Sequence, residues 1–587
     1  MGKRWSIHPH DSDRIAHLQR DLGVPALVAQ LLICRGITDP NVARPFLDAN
    51  LKELRDPDEL PGVPAAADRI YSAICGKRRI AVYGDYDADG MTATAILYLC
   101  LQLLGADVGY FVPNRVDDGY GLNDDALKDL ASRGASMIVT VDCGIASISE
   151  ADTANELGLE LIITDHHEMS DRLPKAAAIV HPRLPGHSYP FTGLCGAGVA
   201  FKLAWALCQR ASQSKKVGEA MREFLLTALG LSAIGTVADV VPLLDENRIL
   251  VRHGLISLLD RPLTGLRALM RICGLDKKPS LTSEDIGFSL GPRLNAVGRL
   301  DQARLGVELL TTNDSDRADS LVQYIQELNQ RRDSHQRSIY LAANKQIQEQ
   351  YDPEGDPAFV LADRGWHPGV IGIVAGKLAD KYHRPTVLIA QDELGTKPGM
   401  GSARSACGLN LHQALAACTE TLVSHGGHAA AAGLKVNDAD LDAFRTEFCE
   451  YAAGEISEAD RVAQIEVDVE APLSQLTIQT VKQIEQLAPF GQDNPRPILC
   501  TTGVKLKEPP HRMGGGDRHV SLKISQHGVT LRAVAFGKGE WAEDLAEVDG
   551  PFDIVYRPVI NEFRGRRNVE LHLVDWRVVK TPASVSQ

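Results

Sequence analysis

The stretch that decides the fold runs from residue 79 to residue 90 and reads Arg79-Ile80-Ala81-Val82-Tyr83-Gly84-Asp85-Tyr86-Asp87-Ala88-Asp89-Gly90. Its first five residues form a short β-rich run, and an apolar helical stretch from about Thr92 to Leu104 follows the last glycine. Between them, three carboxylates stand at every second position of a tight turn, where like charges repel one another. A divalent cation is the simplest group that would neutralise them.

Two other interpretations of this turn remain open at this point. The spacing D-x-D-x-D-G also opens an EF-hand calcium loop, but such a loop needs a glutamate at position twelve, which here is Ile96. A strand, rather than a helix, precedes Asp85. The second alternative is a solvated acidic turn that binds nothing.

Strand-like and helix-like segments continue to alternate after the turn. Strands are predicted near 108–112, 137–141, 161–164 and 178–180, and Asn123 is a plausible N-cap for a helix from Asp124 to about Arg133. Near-continuous apolar strands that alternate with helices indicate a parallel sheet covered on both faces. Ligands of such sheets gather at the carboxyl ends of the strands.

Ligand-type residues follow two more of these strands. Asp142 comes directly after the strand that ends at Val141, and Asp165-His166-His167 comes directly after Thr164. Oxygen ligands with one imidazole suit manganese or magnesium better than zinc. Further on, Asp239 stands in an apolar stretch, where a carboxylate is costly unless it is paired or metal-bound. A helix-capping role is the alternative for Asp239.

The rest of the chain divides into segments with different sequence patterns. Residues 314–350 contain no Gly and no Pro and predict a helix of roughly 50 Å, which would connect domains. Several short alternating strands near the end of the chain indicate a small β-barrel. The predicted divisions are a helical lead-in (1–75), a parallel-sheet α/β domain (76–312), a connector helix (313–352), a second α/β domain (353–458), a β-barrel (459–580) and a tail (581–587).

Composition narrows the class of protein. The chain has 587 residues, 62 Lys and Arg and 76 Asp and Glu, so the net charge is 62 − 76 = −14. This acidity favours a metabolic enzyme over a nucleic-acid binder, whose footprint is usually basic. Its eleven cysteines form no C-x-x-C pair, which argues against a zinc ribbon and for a reducing cytoplasm. We expect neither a secretory signal nor a membrane span.

The motifs carry a family resemblance that contests the charge argument. The residues Tyr86–Gly90, Asp142, Asp165–His167 and Asp239 resemble, in order, the four motifs of the DHH phosphoesterase superfamily. The run Gly426-Gly427-His428-Ala429-Ala430-Ala431-Ala432-Gly433 resembles the glycine-rich signature of the DHHA1 domain. With the length and the terminal barrel, which looks like an OB-fold, the chain resembles the bacterial single-strand-specific 5′→3′ DNA exonucleases of this superfamily.

The resemblance implies a two-metal site for Mn²⁺ or Mg²⁺. Asp87 and Asp142 would hold one ion with Asp85 nearby, and Asp142 would bridge to the second. The second ion would be held by Asp89, Asp142, His166 and Asp239. His167 would face the scissile phosphate, and Asp165 would orient its neighbours. Many relatives have His where this chain has Asp85. Two metals can clamp the attacking and leaving oxygens, so no protein nucleophile is needed.

Basic and glycine-rich segments would hold the DNA. The resemblance implies that the 5′-terminal phosphates bind to Arg115, Arg293, Ser402 and Arg404, with Asn295 and Arg299 beside them. The loop formed by Gly426, Gly427 and His428 would bind the backbone near the scissile bond. In the barrel, Arg564 and Arg566, interleaved with Tyr556 and Phe563, are candidates for contact with single strands. Surface ion pairs and a solvated hairpin tip are the alternatives for these residues.

The expected function is therefore a metal-dependent exonuclease that releases 5′ mononucleotides from single-stranded DNA. It would serve recombination, mismatch repair and base-excision repair in the cytoplasm. The resemblance implies a monomer that works with a single-strand binding protein and a RecQ-type helicase, away from membranes. The rival functions are a phosphodiesterase for short oligonucleotides or cyclic dinucleotides and a non-catalytic replication scaffold.

Overall fold

The computed structural model describes residues 3–114, 121–300, 303–563 and 565–578. The N-terminal segment contains β1 (Arg4–Ile7), α1 (Ser12–Leu22), α2 (Ala26–Cys34), α3 (Pro40–Asp48) and α4 (Val63–Cys75). The first α/β unit contains β2 (Ile80–Tyr83), α5 (Ala88–Leu103), β3 (Val108–Phe111), α6 (Asp124–Ser132), β4 (Met137–Thr140), α7 (Ile148–Glu156), β5 (Glu160–Thr164) and β6 (Ala178–Val180). The helices that follow are α8 (Gly196–Ser212), α9 (Glu219–Ala238), α10 (Asp245–Asp260), α11 (Thr264–Ile272), α12 (Ser283–Asp285), α13 (Gly291–Leu300), α14 (Arg304–Thr311) and α15 (Ser315–Gln350).

The C-terminal part consists of two further units. The second α/β unit contains β7 (Phe359–Asp363), α16 (Pro368–Tyr382), β8 (Thr386–Ala390), β9 (Gly399–Arg404), α17 (Leu411–Ala417), β10 (Ser424–Gly427), β11 (Ala431–Val436) and α18 (Leu441–Glu455). The last unit contains β12 (Gln464–Val467), β13 (Val469–Glu470), α19 (Ile478–Ile484), β14 (Leu499–Leu506), β15 (His511–Met513), β16 (His519–Gln526), β17 (Val529–Ala535), α20 (Trp541–Ala546), β18 (Phe552–Phe563) and β19 (Arg566–Val578).

The first sheet has five parallel strands in the order β3-β2-β4-β5-β6. Strands β2 and β4 are buried along their whole length, which explains their continuous apolar sequences. The chain places β3 on one side of β2 and then β4, β5 and β6 on the other side. The topological switch point therefore lies between β2 and β4. The loops after β2, β4 and β5 therefore leave the same edge of the sheet, as the sequence predicted.

Helix α5 begins earlier than the apolar pattern indicated. Its first residue is Ala88 rather than Thr92, because Asp87 caps it. The Oδ1 atom of Asp87 accepts hydrogen bonds from the backbone N–H groups of Asp89 (2.8 Å) and Gly90 (3.0 Å). The carboxylate turn is thus the first turn of a buried helix, which fixes its shape and excludes an EF-hand loop.

The helical part packs on this α/β unit and continues into a long connector. Helix α15 has 36 residues, consistent with a span of roughly 50 Å. Helix α9 is long and apolar enough to cross a membrane by length and composition. Half of its apolar window is buried within the protein, where it packs against α5, α8 and α10, as a core helix does.

The second α/β unit has a mixed sheet in the order β10-β11-β9-β8-β7. Strands β7 and β8 run parallel to each other, and the remaining pairs are antiparallel. A buried aliphatic and aromatic cluster between this sheet and α17 and α18 forms its core. The mixed α/β fold class predicted from the sequence is confirmed.

The last unit closes into a barrel. Strands follow one another in the order β14-β18-β19-β17-β16, and β16 pairs back with β14. The predicted OB-fold barrel is therefore confirmed. The prediction that Tyr556 stands on its surface among the arginines is wrong: Tyr556 is fully buried, and its hydroxyl lies 2.8 Å from that of Thr501. The inward face of β18 places it in the core.

The N-terminal lead-in packs against the barrel at the other end of the chain. Strand β1 pairs in parallel with β12, and the apolar residues of α1 to α3 share one core with the barrel strands. The buried Arg248 of α10 links both to the first α/β domain, donating hydrogen bonds to the carbonyl oxygens of Phe46, Leu487 and Gln486. Three regions that are distant in sequence thus meet at one guanidinium group.

Candidate metal centre and active site

The loops after β2, β4 and β5 bring the predicted metal ligands together. One cluster of facing atoms comes from Asp85, Asp87 and Asp142, and a second comes from Asp89, His166 and Asp239. Within each cluster the ligand-type atoms lie within 4.8 Å of one another. A third cluster joins Asp142, His166 and His167. The structure thus brings the predicted ligands together, and their division between two ions stays a prediction. Asp239 directly follows the last residue of α9 and does not cap a helix N-terminus.

The His166 ring stands at the middle of the carboxylates. Its Nε2 atom lies 3.0 Å from Asp142 Oδ1, 3.6 Å from Asp239 Oδ2 and 3.8 Å from Asp89 Oδ2. One imidazole nitrogen thus lies close to three carboxylates, which come from α5, from the loop after β4 and from the end of α9. Such convergence is typical of a metal ligand set rather than of a surface ion pair.

Asp142 and His166 provide the test of whether the site fits a metal. Asp142 Oδ1 and His166 Nε2 are buried and lie 3.0 Å apart, but within the described part of the chain neither atom makes a hydrogen bond of suitable geometry. Buried polar atoms are normally satisfied, so two facing orphans indicate a group that both would bind. Carboxylate oxygens with one imidazole are the donor set of Mn²⁺ and Mg²⁺, and the residues therefore fit these ions.

Backbone geometry aims Asp142 into the site. Its φ angle is 63°, in the left-handed region that residues other than glycine rarely adopt. Its N–H still donates to the carbonyl of Thr164 on β5, at 3.0 Å, so the loop remains attached to the sheet. Strain of this kind, which costs of order 1–3 kcal/mol, accumulates at functional sites.

The N-terminus of α8 holds Asp89. Its two carboxylate oxygens accept hydrogen bonds from the backbone N–H groups of Gly196 (2.6 Å) and Ala197 (2.9 Å). Helix N-termini favour negative charge, so α8 stabilises this buried carboxylate. A Cβ atom on Gly196 would stand 2.4 Å from Asp142 Oδ1, and one on Gly235 would stand 2.4 Å from Asp89 Oδ1.

These two glycines are functional residues that the sequence reasoning missed. Gly196 begins α8, and Gly235 stands in the last turn of α9, shortly before Asp239. A signal was present in the small residues Gly196-Ala197-Gly198, which permit a close approach to a helix start. Which atoms approach them could be known only from the packing of α5, α8 and α9.

In the absence of metal, burial and neighbouring charges shift the pKa values of the side chains in the site. Burial, followed by the charges of Asp89 and Asp87, raises the pKa of Asp239 to about 9. Burial and the same neighbours raise the pKa of Asp142 well above its ordinary value. Burial lowers the pKa of His166 to about 4, which keeps its ring neutral and able to ligate a metal. Perturbation of this kind is typical of functional sites.

Asp165 and His167 form a separate ion pair beside this cluster. Burial disfavours the charge of Asp165, but hydrogen bonds from His167 and from the N–H of Ile145 lower its pKa to about 2. Burial also disfavours the charge of His167, but the bond of its Nδ1 to Asp165 (2.8 Å) outweighs this and raises the pKa of His167 to about 9. In the absence of metal, the raised pKa favours the protonated form of His167, which could donate to a phosphate oxygen.

Helix α13 runs beside the metal cluster. The side-chain oxygen of Asn295 accepts a hydrogen bond from the N–H of Ala88 at 2.8 Å, so Asn295 supports the carboxylate turn. Arg293 donates to Gln326 of α15 (2.8 Å) and to the carbonyl of Ser289 (2.8 Å). Arg299 donates to the carbonyl of Gly369 at 3.1 Å, which joins α13 to the N-terminus of α16.

The second α/β domain presents its predicted residues in one row. The pairings Gly426↔Gly433 and Gly433↔Ser402 place the glycine-rich strand β10 and Ser402 side by side across β11. The guanidinium of Arg404 donates to the hydroxyl of Ser402 at 3.0 Å. A Cβ on Gly372 of α16 would lie 2.9 Å from Ser402 Oγ, so this helix covers the row closely.

The glycine-rich loop also faces the first domain. His428 lines a cavity of about 370 Å³ together with Asp165, His167 and Glu168. Gly427, in the adjoining strand, has a φ angle of 133° and close backbone neighbours, which explains the need for glycine there. The cavity therefore lies between the His167 side of the metal centre and the second domain.

The structure does not test the roles predicted for three further residues. Arg115 and Arg564 lie outside the described residues. Arg566 begins β19 on the barrel and is exposed. Their contact with DNA stays a prediction.

Comparison with known proteins identifies the family to which the chain belongs. Residues 79–234 match the family described as the DHH family, N-terminal domain, residues 355–454 match the DHHA1 domain, and residues 467–575 match the RecJ OB domain. The "Single-stranded-DNA-specific exonuclease RecJ" of Bacillus subtilis (strain 168) is 40% identical over 576 residues, which cover 97% of this chain and 70% of that protein. The chain belongs to the RecJ family. The family predicted from the motifs is therefore confirmed.

Two further RecJ proteins extend the likeness to other bacteria and to three dimensions. RecJ of Escherichia coli (strain K12) is 33% identical, and the match covers 97% of this chain and 99% of that protein. The crystal structure of RecJ in complex with Mn²⁺ from Thermus thermophilus superposes with a TM-score of 0.82 at 30% identity, covering 98% of this chain and 80% of that one. A RecJ structure with Mg²⁺ from the same organism superposes with a TM-score of 0.76.

Proposed function

We propose that this chain is a single-stranded-DNA-specific exonuclease that uses Mn²⁺ or Mg²⁺ to hydrolyse phosphodiester bonds from the 5′ end and releases 5′ mononucleotides. The observation that carries the proposal is the pair of carboxylate clusters around His166, with buried atoms of Asp142 and His166 that lack hydrogen-bond partners among the described residues. RecJ relatives carry the name of this activity, and RecJ crystals contain these ions.

Each residue of the site has a task in this reaction. When bound, two divalent ions would supply a water of lowered pKa and charge stabilisation for the attacking and leaving oxygens. Asp142 would bridge the two ions, and His166 keeps a neutral ring for one of them. The ring of His167, fixed by the bond of its Nδ1 to Asp165, would donate from Nε2 to a phosphate oxygen and stabilise the charge that develops there.

The second domain supplies the other wall of the substrate site. Ser402 and Arg404, which lie against Gly372 of α16, present a hydroxyl and a guanidinium, groups that can bind phosphate oxygens. An enzyme that anchors a terminal 5′ phosphate at a fixed distance from its metals would cleave near that end. If Ser402 and Arg404 hold a 5′-terminal phosphate, as the resemblance of the motifs implies, single nucleotides would be released in the 5′→3′ direction.

The barrel offers a stacking surface for the rest of the strand. The rings of His519, Phe536 and His572 form a row, with centroid distances of 5.4 Å and 4.9 Å between neighbours. Phe536 is 53% exposed, so part of its ring is open to solvent beside the two histidines. Successive bases stack on such rings irrespective of sequence, so this row supports single-strand binding better than the hairpin arginines alone.

In the cell, the enzyme would act as a monomer in the cytoplasm during recombination, mismatch repair and base-excision repair. A helicase of the RecQ type would open duplex ends for it, and a single-strand binding protein would present the strand. The proposed substrate supports these partners, because duplex DNA must be made single-stranded before the enzyme can act on it.

The decisive experiment is a polarity assay. A single-stranded oligonucleotide with a 5′ phosphate and a label at either end is incubated with Mn²⁺, and a blunt duplex of the same sequence serves as control. We expect labelled mononucleotides first from the 5′ end and none from the duplex. Release from the 3′ end, or cleavage confined to dinucleotides and cyclic dinucleotides, would contradict the proposal.

A further inference from the structure

The two histidines of the metal centre are held from behind by residues that no motif includes. His181 and Arg183 follow β6, the edge strand beside β5. His181 is fully buried, and its Nε2 atom lies 2.9 Å from the carbonyl oxygen of His167. Arg183 donates from Nη2 to the carbonyl oxygen of His166 at 2.7 Å.

The hydrogen bonds fix the tautomer of His181. Its Nδ1 atom accepts a hydrogen bond from the backbone N–H of Arg183 at 3.0 Å, so the ring proton is on Nε2. The Nε2–H group then donates to the His167 carbonyl. The side chain of Arg183 continues to Glu168, whose carboxylate it pairs with at 2.5 Å. Three consecutive residues of the loop, from 166 to 168, are thus bound by two side chains.

We infer that His181 and Arg183 are positioning residues, which hold the carbonyl oxygens of His167 and His166 and thereby aim both imidazoles at the metals and the phosphate. A turn of either peptide plane would swing the attached rings, whose centroids are only 4.3 Å apart. Asp165 fixes this loop on one side by accepting hydrogen bonds from the N–H groups of His166 and His167. His181 and Arg183 fix the carbonyl groups on the other side.

The inference rests on the proposed function in that it concerns the imidazoles of the proposed metal centre. Partners of metal-ligating groups typically change metal affinity by about 10- to 100-fold when they are removed. We expect His181→Leu and Arg183→Met to weaken Mn²⁺ binding to the metal-free protein by about this factor, measured by calorimetric titration. The two variants combined should lose less than the sum of the separate losses, because both hold one loop.

A matched control exists in α10. The Nε2 atom of His253 also lies 2.9 Å from a backbone carbonyl oxygen, that of Ala49, but this contact joins α10 to the N-terminal segment. His253→Leu therefore removes the same kind of hydrogen bond away from the metals. We expect it to lower the melting temperature and leave Mn²⁺ affinity unchanged, in contrast to His181→Leu.

Conservative variants separate positioning from folding. His181→Gln keeps an amide donor near the place of Nε2 and should restore much of the Mn²⁺ affinity, and Arg183→Lys should do so in part. If His181→Leu does not fold, the comparison of His181→Gln with the shorter His181→Asn decides the matter. The inference is wrong if folded Arg183→Met and folded His181→Leu, or His181→Asn in its place, bind Mn²⁺ as tightly as the wild type. Should the wild type fail to cleave single strands, the proposed function falls, but this comparison of Mn²⁺ affinities still stands.

Discussion

At the scale of single residues, the metal centre brings together buried carboxylates that repel one another, and this repulsion is relieved when they bind protons or metal ions. Asp89, Asp142 and Asp239 converge on one imidazole, and burial raises the pKa of each of them. A folded protein that carries these carboxylates without metal is less stable than its core would allow. Function and stability therefore oppose each other at the same atoms.

Stability of the metal-free protein should fall as the pH rises. The pKa of Asp239 is about 9 in the folded chain against 3.8 for the free side chain, so the folded state binds the extra proton between these values. The stabilisation that this proton gives is lost as the pH approaches 9, at up to about 1.4 kcal/mol per pH unit. His167, with its pKa raised to about 9, acts in the same direction.

Chemical denaturation at pH 7 and pH 9 measures this loss. We expect a lower free energy of unfolding at pH 9 in chelator and a smaller difference when Mn²⁺ is present. Asp239→Asn should flatten the dependence in chelator. A metal-free protein that is equally stable at both values would contradict the assignment.

Asp142→Asn should separate stability from catalysis more directly. The substitution keeps the shape of the side chain and removes the negative charge that the ionised carboxyl, at pH values above its raised pKa, would place beside four other carboxylates, which are Asp85, Asp87, Asp89 and Asp239. We expect activity on single-stranded DNA to disappear and the melting temperature of the metal-free protein to rise. Nuclease assays test the loss of activity, and thermal melts in chelator test the rise in melting temperature. A fall in the melting temperature would refute the expected gain in stability.

At the scale of elements, the site depends on how closely three helices approach. The start of α8 supplies the N–H groups for Asp89, and α9 passes close enough that only hydrogen fits at Gly235. The connector α15 holds Arg293 through Gln326, while Arg299 joins α13 to α16. Helix packing thus sets the positions of the candidate metal ligands and of the arginines predicted to bind phosphate.

Gly235→Ala tests this close approach. The new Cβ would stand 2.4 Å from Asp89 Oδ1 and 2.6 Å from both Ala197 Cβ and Thr92 Oγ1, so α9 or Asp89 must move. We expect weaker Mn²⁺ binding and a loss of about 1–3 kcal/mol of stability. Gly454→Ala in α18 is the control, since no atom lies within 4 Å of its Cβ and alanine favours a helix by up to about 1 kcal/mol. Unchanged Mn²⁺ affinity in Gly235→Ala would count against the packing argument.

At the scale of the whole molecule, the ends of the chain combine into one unit that supports the first domain. Trp5 of β1 donates to Asp575 of β19 at 2.8 Å, and α1 to α3 share a core with the barrel. Burial lowers the pKa of Arg248 to about 9, yet its guanidinium is bound by three carbonyl oxygens and lies 3.8 Å over the Phe46 ring. Arg248 thus joins the lead-in, the first domain and the barrel.

Arg248→Met should loosen this junction. Each buried carbonyl left without its donor costs about 1–3 kcal/mol, and we expect a total loss of at least about 3 kcal/mol. Limited proteolysis should then cut the N-terminal segment faster, whereas Mn²⁺ affinity should remain. Arg133→Met, which breaks an exposed pair with Asp129, should change stability by less than about 1 kcal/mol. Equal behaviour of the two variants would show that Arg248 has no such role.

The sequence predicted the metal centre better than it predicted the surfaces. Asp87, Asp142 and Asp165 follow strands closely, and the carboxyl ends of parallel strands share an edge, so a local pattern with one topological rule brings them together. Tyr556 shows the limit of such reasoning, because alternation along a strand does not tell which face is inward until the barrel closes. Asn295 was recognised as part of the site, but its contact with Ala88 depends on how α13 lies against α5.

The sequence by itself determined the strands of the parallel sheet, the connector helix and the barrel strands, because each of these elements is specified by a short run of neighbouring residues. The ligands of the metal centre were predicted from a family resemblance of motifs spread from Asp85 to Asp239. Only the tertiary structure decided that β1 joins the barrel region, that Gly235 lies against Asp89, and that His181 and Arg183 hold the loop of His166. Those contacts join residues that are tens to hundreds of positions apart or that lie in different elements, and no periodicity specifies them. They arise from the packing of complementary surfaces, which the linear pattern does not encode.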